Sequence, residues 1–117
     1  MSVLTIEDWT PPSVNMLLKV HWSKAAGIKK EVKRRIWIAA IGSPCLMVAT
    51  GKRRVGIAVT VAGRGGMPDP DNILKCLMDA LTANRLIMDD SAAYVEIGKV
   101  TVERGQFKRT VISLEDI

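Results

Sequence analysis

Apolar and polar positions alternate along four stretches of the chain with the two-residue period of a β-strand. The clearest alternation covers residues 55–61, and a looser one covers residues 2–9. Two further runs, residues 93–103 and 107–114, are joined by Arg104-Gly105-Gln106, which is typical of a hairpin turn. The pattern therefore predicts four strands, the last two of them paired as a hairpin.

Two other stretches follow the helical period of about 3.6 residues. Between Lys19 and Ala39, one face is apolar and consists of Ala25, Ile28, Val32, Ile36 and Ala39. Between residues 72 and 82 the apolar face consists of Ile73, Leu74, Leu77, Met78 and Leu81. Asp71 stands where the N-cap of this second helix is expected. The order of strand, helix, strand, helix, strand and strand predicts an α+β fold, a small mixed sheet packed with helices, in a single domain of residues 1–117.

The end of the first helix has a surplus of apolar side chains. Trp37, Ile38 and Ile41 fall outside its packing face. Two explanations remain open, namely a dimer interface and burial against residues 42–50.

Composition excludes several classes of protein. Hydrophobic residues make up 48% of the chain and aromatic residues only 4%, so the core must be aliphatic. Cys45 and Cys76 have no Cys-x-x-Cys spacing, and His21 is the only histidine, so we expect buried free thiols rather than a zinc site. No apolar run reaches the roughly 18 residues of a membrane span, and we expect a cytoplasmic protein.

The charges are unevenly distributed. The net charge is +5, yet residues 67–90 contain five of the seven aspartates and only two basic residues, which gives this window a charge of −3. Clustered carboxylates repel one another unless a cation joins them. The basic remainder of the chain, with a sequence pI near 9.5, favours a polyanionic partner.

The aspartates are spaced as a metal site would require. Pro70 favours an extended Asp69, so the carboxylates of Asp69 and Asp71 are expected on one side. Asp89 and Asp90 return after the helix, and Lys75 lies one turn from Asp71. Oxygen ligands of this kind suit Mg²⁺ beside a phosphodiester. An ordinary helix start followed by an ordinary Asp-Asp turn explains the same spacing, and the sequence leaves both interpretations open.

Basic residues supply candidates for DNA contact. The first helix is rich in them, and a Lys-Arg-Arg run precedes the strand at residue 55. Such charge suits DNA phosphates, although it is also typical of a solvated face. The candidate residues are Lys24, Lys29, Lys30, Lys33, Arg34, Lys52, Arg53, Arg54 and Arg64.

Several short motifs resemble those of the RusA-type Holliday junction resolvases, small endodeoxyribonucleases of phages and bacteria. They are Asp69-Pro70-Asp71-Asn72-Ile73-Leu74-Lys75, Met78-Asp79-Ala80-Leu81, Met88-Asp89-Asp90 and, near the start, Pro11-Pro12-Ser13-Val14-Asn15. Family members can have several arginines ahead of the first aspartate, where this chain has only Arg64.

The resemblance implies a RusA-like fold and a homodimer that cuts four-way DNA junctions by paired symmetric nicks with Mg²⁺ or Mn²⁺. It implies catalytic, metal-binding carboxylates at Asp69, Asp71 and Asp90, a functional lysine at Lys75, and a further acidic position at Asp89. The alternatives are a non-catalytic basic module that binds branched or duplex DNA, a Mg²⁺-dependent enzyme acting on nucleotides or RNA, and a basic subunit whose charge serves solubility. An enzyme acting on nucleotides is expected to have a glycine-rich loop that binds phosphate. Residues 63–66 are rich in glycine but lack the Gly-Lys-Ser/Thr ending of such a loop.

Overall fold

The computed structural model describes residues 2–12, 14–42, 48–63 and 67–117. Ser13, Cys45 and Arg64 lie outside the described residues. The elements are β1 (Ser2–Glu7), α1 (Val14–Lys19), α2 (Trp22–Ile41), β2 (Arg53–Val61), α3 (Pro70–Ala83), β3 (Val95–Arg104) and β4 (Arg109–Asp116). The predicted α+β fold, a small mixed sheet packed with helices, is confirmed. The short helix α1 was not predicted, because six residues after two prolines give no readable period.

The four strands form one sheet in the order β1-β4-β2-β3. Strand β4 pairs antiparallel with both β1 and β2, whereas β3 pairs parallel with β2. Parallel neighbours require a crossover, and α3 provides it between β2 and β3. The β2–β3 register shifts between Val55 and Ile57, which marks a bulge.

The predicted hairpin of the last two strands is wrong. Strand β2 lies between β3 and β4, so these two consecutive strands are not neighbours. The link between them passes over the end of β2, where the Gly105 N–H donates to the Val61 carbonyl at 2.8 Å. A Cβ on Gly105 would lie 2.5 Å from Thr60 Cγ2, so this close approach requires glycine. The Arg-Gly-Gln signal marks a chain reversal but does not identify the neighbouring strand.

The core lies between the sheet and the helices. Strand β2 turns Val55, Ile57 and Val59 inward, and none of them is more than 2% exposed. Helix α2 packs beside β1 and against α3, and it buries Val32 and Ile36. The predicted apolar face of α3 is confirmed for Ile73, Leu77, Met78 and Leu81, while Leu74 is half-buried. Cys76 and Ala80 are buried as well.

Arg53 is a structural residue of the described chain. Only 5% of it is exposed, its Nη1 donates to the Leu86 carbonyl at 2.7 Å, and its Nε donates to Asp116 Oδ1 at 2.8 Å. Burial removes Arg53 from the predicted DNA-contact surface. Glu115 and Asp116, near the end of the chain, pair with β2.

Trp37, Ile38 and Ile41 are 55%, 51% and 62% exposed. Because residues 43–47 lie outside the described residues, a dimer interface and burial against the following loop both stay open. Within the described ranges, none of the helices is both long and apolar enough to cross a membrane.

Replacing Arg53 with alanine should lower the free energy of unfolding by about 2–3 kcal/mol, because it leaves the buried Leu86 carbonyl without this donor. Urea unfolding measures the effect. Arg54→Ala is the matched control: Arg54 is half exposed and its partners Glu96 and Glu115 stay solvated, so its loss should cost less than about 1 kcal/mol. Equal losses for the two variants would contradict the structural role of Arg53.

Candidate functional site

The first turn of α3 is organised by Asp69 and Pro70. Asp69 has φ −70° and ψ 125°, an extended conformation that the following proline favours. Pro70 is the first helical residue, where its missing N–H costs no hydrogen bond. The Asp69 carboxylate accepts a hydrogen bond from the Asp71 N–H at 2.9 Å. Asp69 is therefore the N-cap of α3.

The prediction that Asp71 is the N-cap is wrong by two residues. Asp71 is already helical and lies in the first turn, so it does not share an extended segment with Asp69. Both side chains are exposed at the helix N-terminus, where negative charge is favoured by the helix dipole. The hydrogen bond between them keeps one oxygen of Asp69 directed at the helix start.

The chain after α3 returns Asp89 and Asp90 to the surface. Arg85 adopts a left-handed conformation, with φ 60°, and reverses the chain direction. Leu86 and Ile87 then enter the core, where they are 5% and 0% exposed. Because these two apolar residues are buried, the aspartates that follow are placed at a defined point of the surface.

Asp90 and Lys75 line the same groove, which has a volume of about 1120 Å³ and lies between α1, α2 and α3. Asp79, Lys29 and Lys33 line it as well. The structure thus places Asp90 and Lys75 on the lining of one groove. Asp69, Asp71 and Asp89 do not line this groove. Asp71 lies about one turn ahead of Lys75 on α3, and Asp69 is the N-cap two residues before Asp71.

Arginines and lysines differ in whether they form ion pairs. In the described parts of the chain, every ion pair involves an arginine, and none involves a lysine or any residue between 67 and 90. The aspartates of this window therefore have no basic side chain as a partner there. The lysines of α2 are equally available for an external anion.

The predicted DNA-contact residues divide accordingly. Arg34 pairs with Glu31 at 3.6 Å. The pKa of the Arg54 guanidinium is raised by its hydrogen bond with Glu96 and by the charge of that residue, with Glu115 adding to both effects. Exposed residues outside these pairs are Lys24, Lys29, Lys30, Lys33 and Lys52.

Mg²⁺ suits this donor set chemically, since exposed aspartate oxygens are its preferred protein ligands. In the ranges that the structure describes, no three side chains of His, Cys, Asp or Glu are grouped so as to hold a metal ion. The convergence of Asp69, Asp71 and Asp90 stays a prediction.

A comparison of the sequence with models of known protein families gives no match, and a comparison with curated proteins gives no significant relative.

Cys76 is an unreactive thiol at the bottom of the groove. It is 7% exposed, and burial raises its pKa to about 11, with the Asp79 charge adding to the increase and Lys29 opposing it. The prediction of a buried free thiol is confirmed for Cys76, while Cys45 lies outside the described residues.

Two groove residues were not recognised in the sequence, Leu18 and Trp22, each 77% exposed at the rim. The available signal was an aromatic residue at the start of a lysine-rich helix, since proteins that bind single-stranded nucleic acids combine aromatic side chains with basic grooves.

Asp69→Ala should lower the free energy of unfolding by about 1 kcal/mol, since it removes the N-cap of α3. Asp69→Asn should change it by less than about 0.5 kcal/mol, because asparagine caps equally well. Chemical unfolding of both variants measures the difference. Asparagine and alanine variants of equal stability would show that the cap contributes nothing.

In a Cys45→Ser background, Cys76 should react with iodoacetamide far more slowly at pH 8 than the same thiol in urea-unfolded protein, because the folded thiol stays protonated. Its raised pKa stabilises the fold below pH 9 and this contribution is lost as the pH rises towards 11. Mass spectrometry follows the alkylation. Equal rates in folded and unfolded protein would contradict the burial of the thiol.

Proposed function

We propose that the chain is a Mg²⁺-dependent endodeoxyribonuclease that resolves four-way DNA junctions by paired nicks. The observation that carries the proposal is that Asp90, distant from Lys75 in sequence, lines the same groove with Lys75 and two lysines of α2. The carboxylates of Asp79 and Asp90 could contribute to a cation site, and the lysines of the same groove could bind a phosphate. The resemblance of the sequence motifs to those of RusA-type resolvases suggests a four-way DNA junction as the substrate.

Asp69, Asp71 and Asp90 would hold the metal ion. When bound, Mg²⁺, or Mn²⁺ in its place, supplies Lewis-acid stabilisation of the phosphate and acidifies a bound water. Lys75 lies on the exposed face of α3, where it neutralises phosphate charge or orients the water. Asp69 also has a structural role, because it is the N-cap of the helix that contains Asp71 and Lys75.

The substrate has two equivalent strands to cut, which matches an isologous homodimer with one site in each subunit. The lysines of α2, together with Lys52, would bind the junction arms through phosphates, with an affinity that falls as salt rises. A cytoplasmic location, where such DNA is encountered, belongs to the same proposal.

A second function is favoured by the same N-cap. Asp69 already has a structural role as the cap of α3, so its presence is explained without a metal ion. This observation suits a non-catalytic basic module that binds branched or duplex DNA. Incubation of the protein with a mobile four-way junction separates the two: nicked product with Mg²⁺ and none with EDTA supports the nuclease, and metal-independent binding without nicks supports the module.

Asp71→Asn should reduce nicking by at least about a hundredfold, because it removes a metal ligand, while junction binding stays equal or tightens as a negative charge is lost. Cleavage and gel-shift assays on the same preparation measure the two effects.

Asp8→Asn is the matched control for charge. Asp8 is exposed after β1 with φ 55°, a conformation that asparagine also accepts. It should nick at the rate of the unmodified protein. An Asp71→Asn variant with that same rate would end the assignment of this carboxylate.

A further inference from the structure

The groove between α1, α2 and α3 is lined by both apolar and basic side chains. The apolar ones include Leu17, Ala25, Val32 and Met78, and the basic ones are Lys29, Lys33 and Lys75. The acidic residues of the lining are Asp79 and Asp90. A flat apolar ligand with anionic groups at its edges would fit this combination.

Trp22 stands exposed at the rim of the groove. It is the first residue of α2, directly after the N-cap His21, whose ring nitrogen accepts from the Ser23 N–H at 3.3 Å. The ring centroids of His21 and Trp22 lie 5.4 Å apart, and the two ring planes are tilted by 37°. The Trp22 ring is thus held beside the helix start and yet is 77% exposed. A side chain this large and this exposed at a groove is suited to contact a ligand.

Trp22, Lys29 and Lys33 follow one line along α2. They are separated by seven and four residues, so they lie on the same face of the helix. Trp22 and Lys29 are about 10 Å apart along the helix axis. The exposed ring of Trp22 is therefore followed along α2 by Lys29 and Lys33. Lys75 of α3 lines the same groove.

We propose that this groove holds an unpaired stretch of the DNA strand, with a base stacked on Trp22 and phosphates bound by Lys29, Lys33 and Lys75. The proposal rests on the proposed function, because Asp90 in the same groove is one of the carboxylates assigned to cleavage. Charge favours this occupant over an apolar peptide, since α2 contains six basic residues and one acidic residue. Paired duplex offers no free base face, whereas strands at a branch point can expose one.

The test uses a fluorescently labelled oligothymidine in EDTA, so that cleavage does not enter. Trp22→Ala should bind it about tenfold or more weakly, because a stacked base is lost, and Trp22→Phe should bind nearly as well as the unmodified protein. Phe107→Ala is the control: it removes an aromatic residue that is 72% exposed and lies outside the groove. It should leave the affinity unchanged.

Salt dependence separates stacking from charge. Lys33→Ala should reduce the slope of log affinity against log salt by about 0.7, the value for one phosphate on single-stranded DNA, and Trp22→Ala should leave the slope unchanged. An oligonucleotide containing 2-aminopurine should lose fluorescence on binding the unmodified protein and retain it with Trp22→Ala.

Undiminished oligothymidine binding by Trp22→Ala overturns the proposal, as does an equal loss on duplex DNA, which would indicate backbone contact only. A changed oligomeric mass of Trp22→Ala in light scattering, with unchanged DNA affinity, also overturns it and identifies the groove as a protein interface. Each of these outcomes is independent of nicking by the unmodified protein, which tests the proposed function separately.

Discussion

The packing of α3 on the sheet and against α2 is the constraint on which the candidate site depends. Val55, Ile57 and Val59 on β2 and Ile73, Leu77 and Leu81 on α3 are at most 2% exposed and belong to one buried cluster. Burying the apolar face of the helix leaves its opposite face with a single possible direction, away from the sheet. Asp71, Lys75 and Asp79 are thereby presented together at the surface. The polar side of the site is a consequence of how the apolar side packs.

A second link joins the core to the site through Arg53. The buried guanidinium contacts the Leu86 carbonyl and the Asp116 carboxylate, so it connects the start of the central strand, the end of the chain and the turn after α3. Leu86 and Ile87 are anchored in the core, and Asp90 lies only three residues farther along the chain. The basic residue that the charge pattern assigned to DNA instead supports the segment that brings Asp90 to the groove.

The elements with a strong period could be read from the sequence, and the contacts between distant residues could not. The alternation of β2 and the apolar stripe of α3 are local properties, and both are found close to their predicted bounds. The position of β2 between β3 and β4 depends on pairing between strands that are distant in sequence. The turn signal at Gly105 contains no information on that pairing. Likewise Arg53 meets Asp116, 63 residues away, and no count of basic residues indicates that partner. The carboxylate window was visible because it is a local composition, whereas the groove that contains Asp90 required the fold.

The distribution of ion pairs gives the site its physical character. Across the described chain, Glu7, Glu31, Glu96, Glu115 and Asp116 are each paired with an arginine, although the protein has an excess of basic residues. Within the part of the chain that the structure describes, the aspartates between residues 67 and 90 form no such pair, and neither do the lysines of α2. Unpaired charges that stay exposed to water cost little, so the lysines and aspartates of the groove are available to an external ligand. Lysines suit a phosphate, and aspartates suit a cation. A metal ion bound against a DNA strand, as proposed above, would bring both groups to one groove.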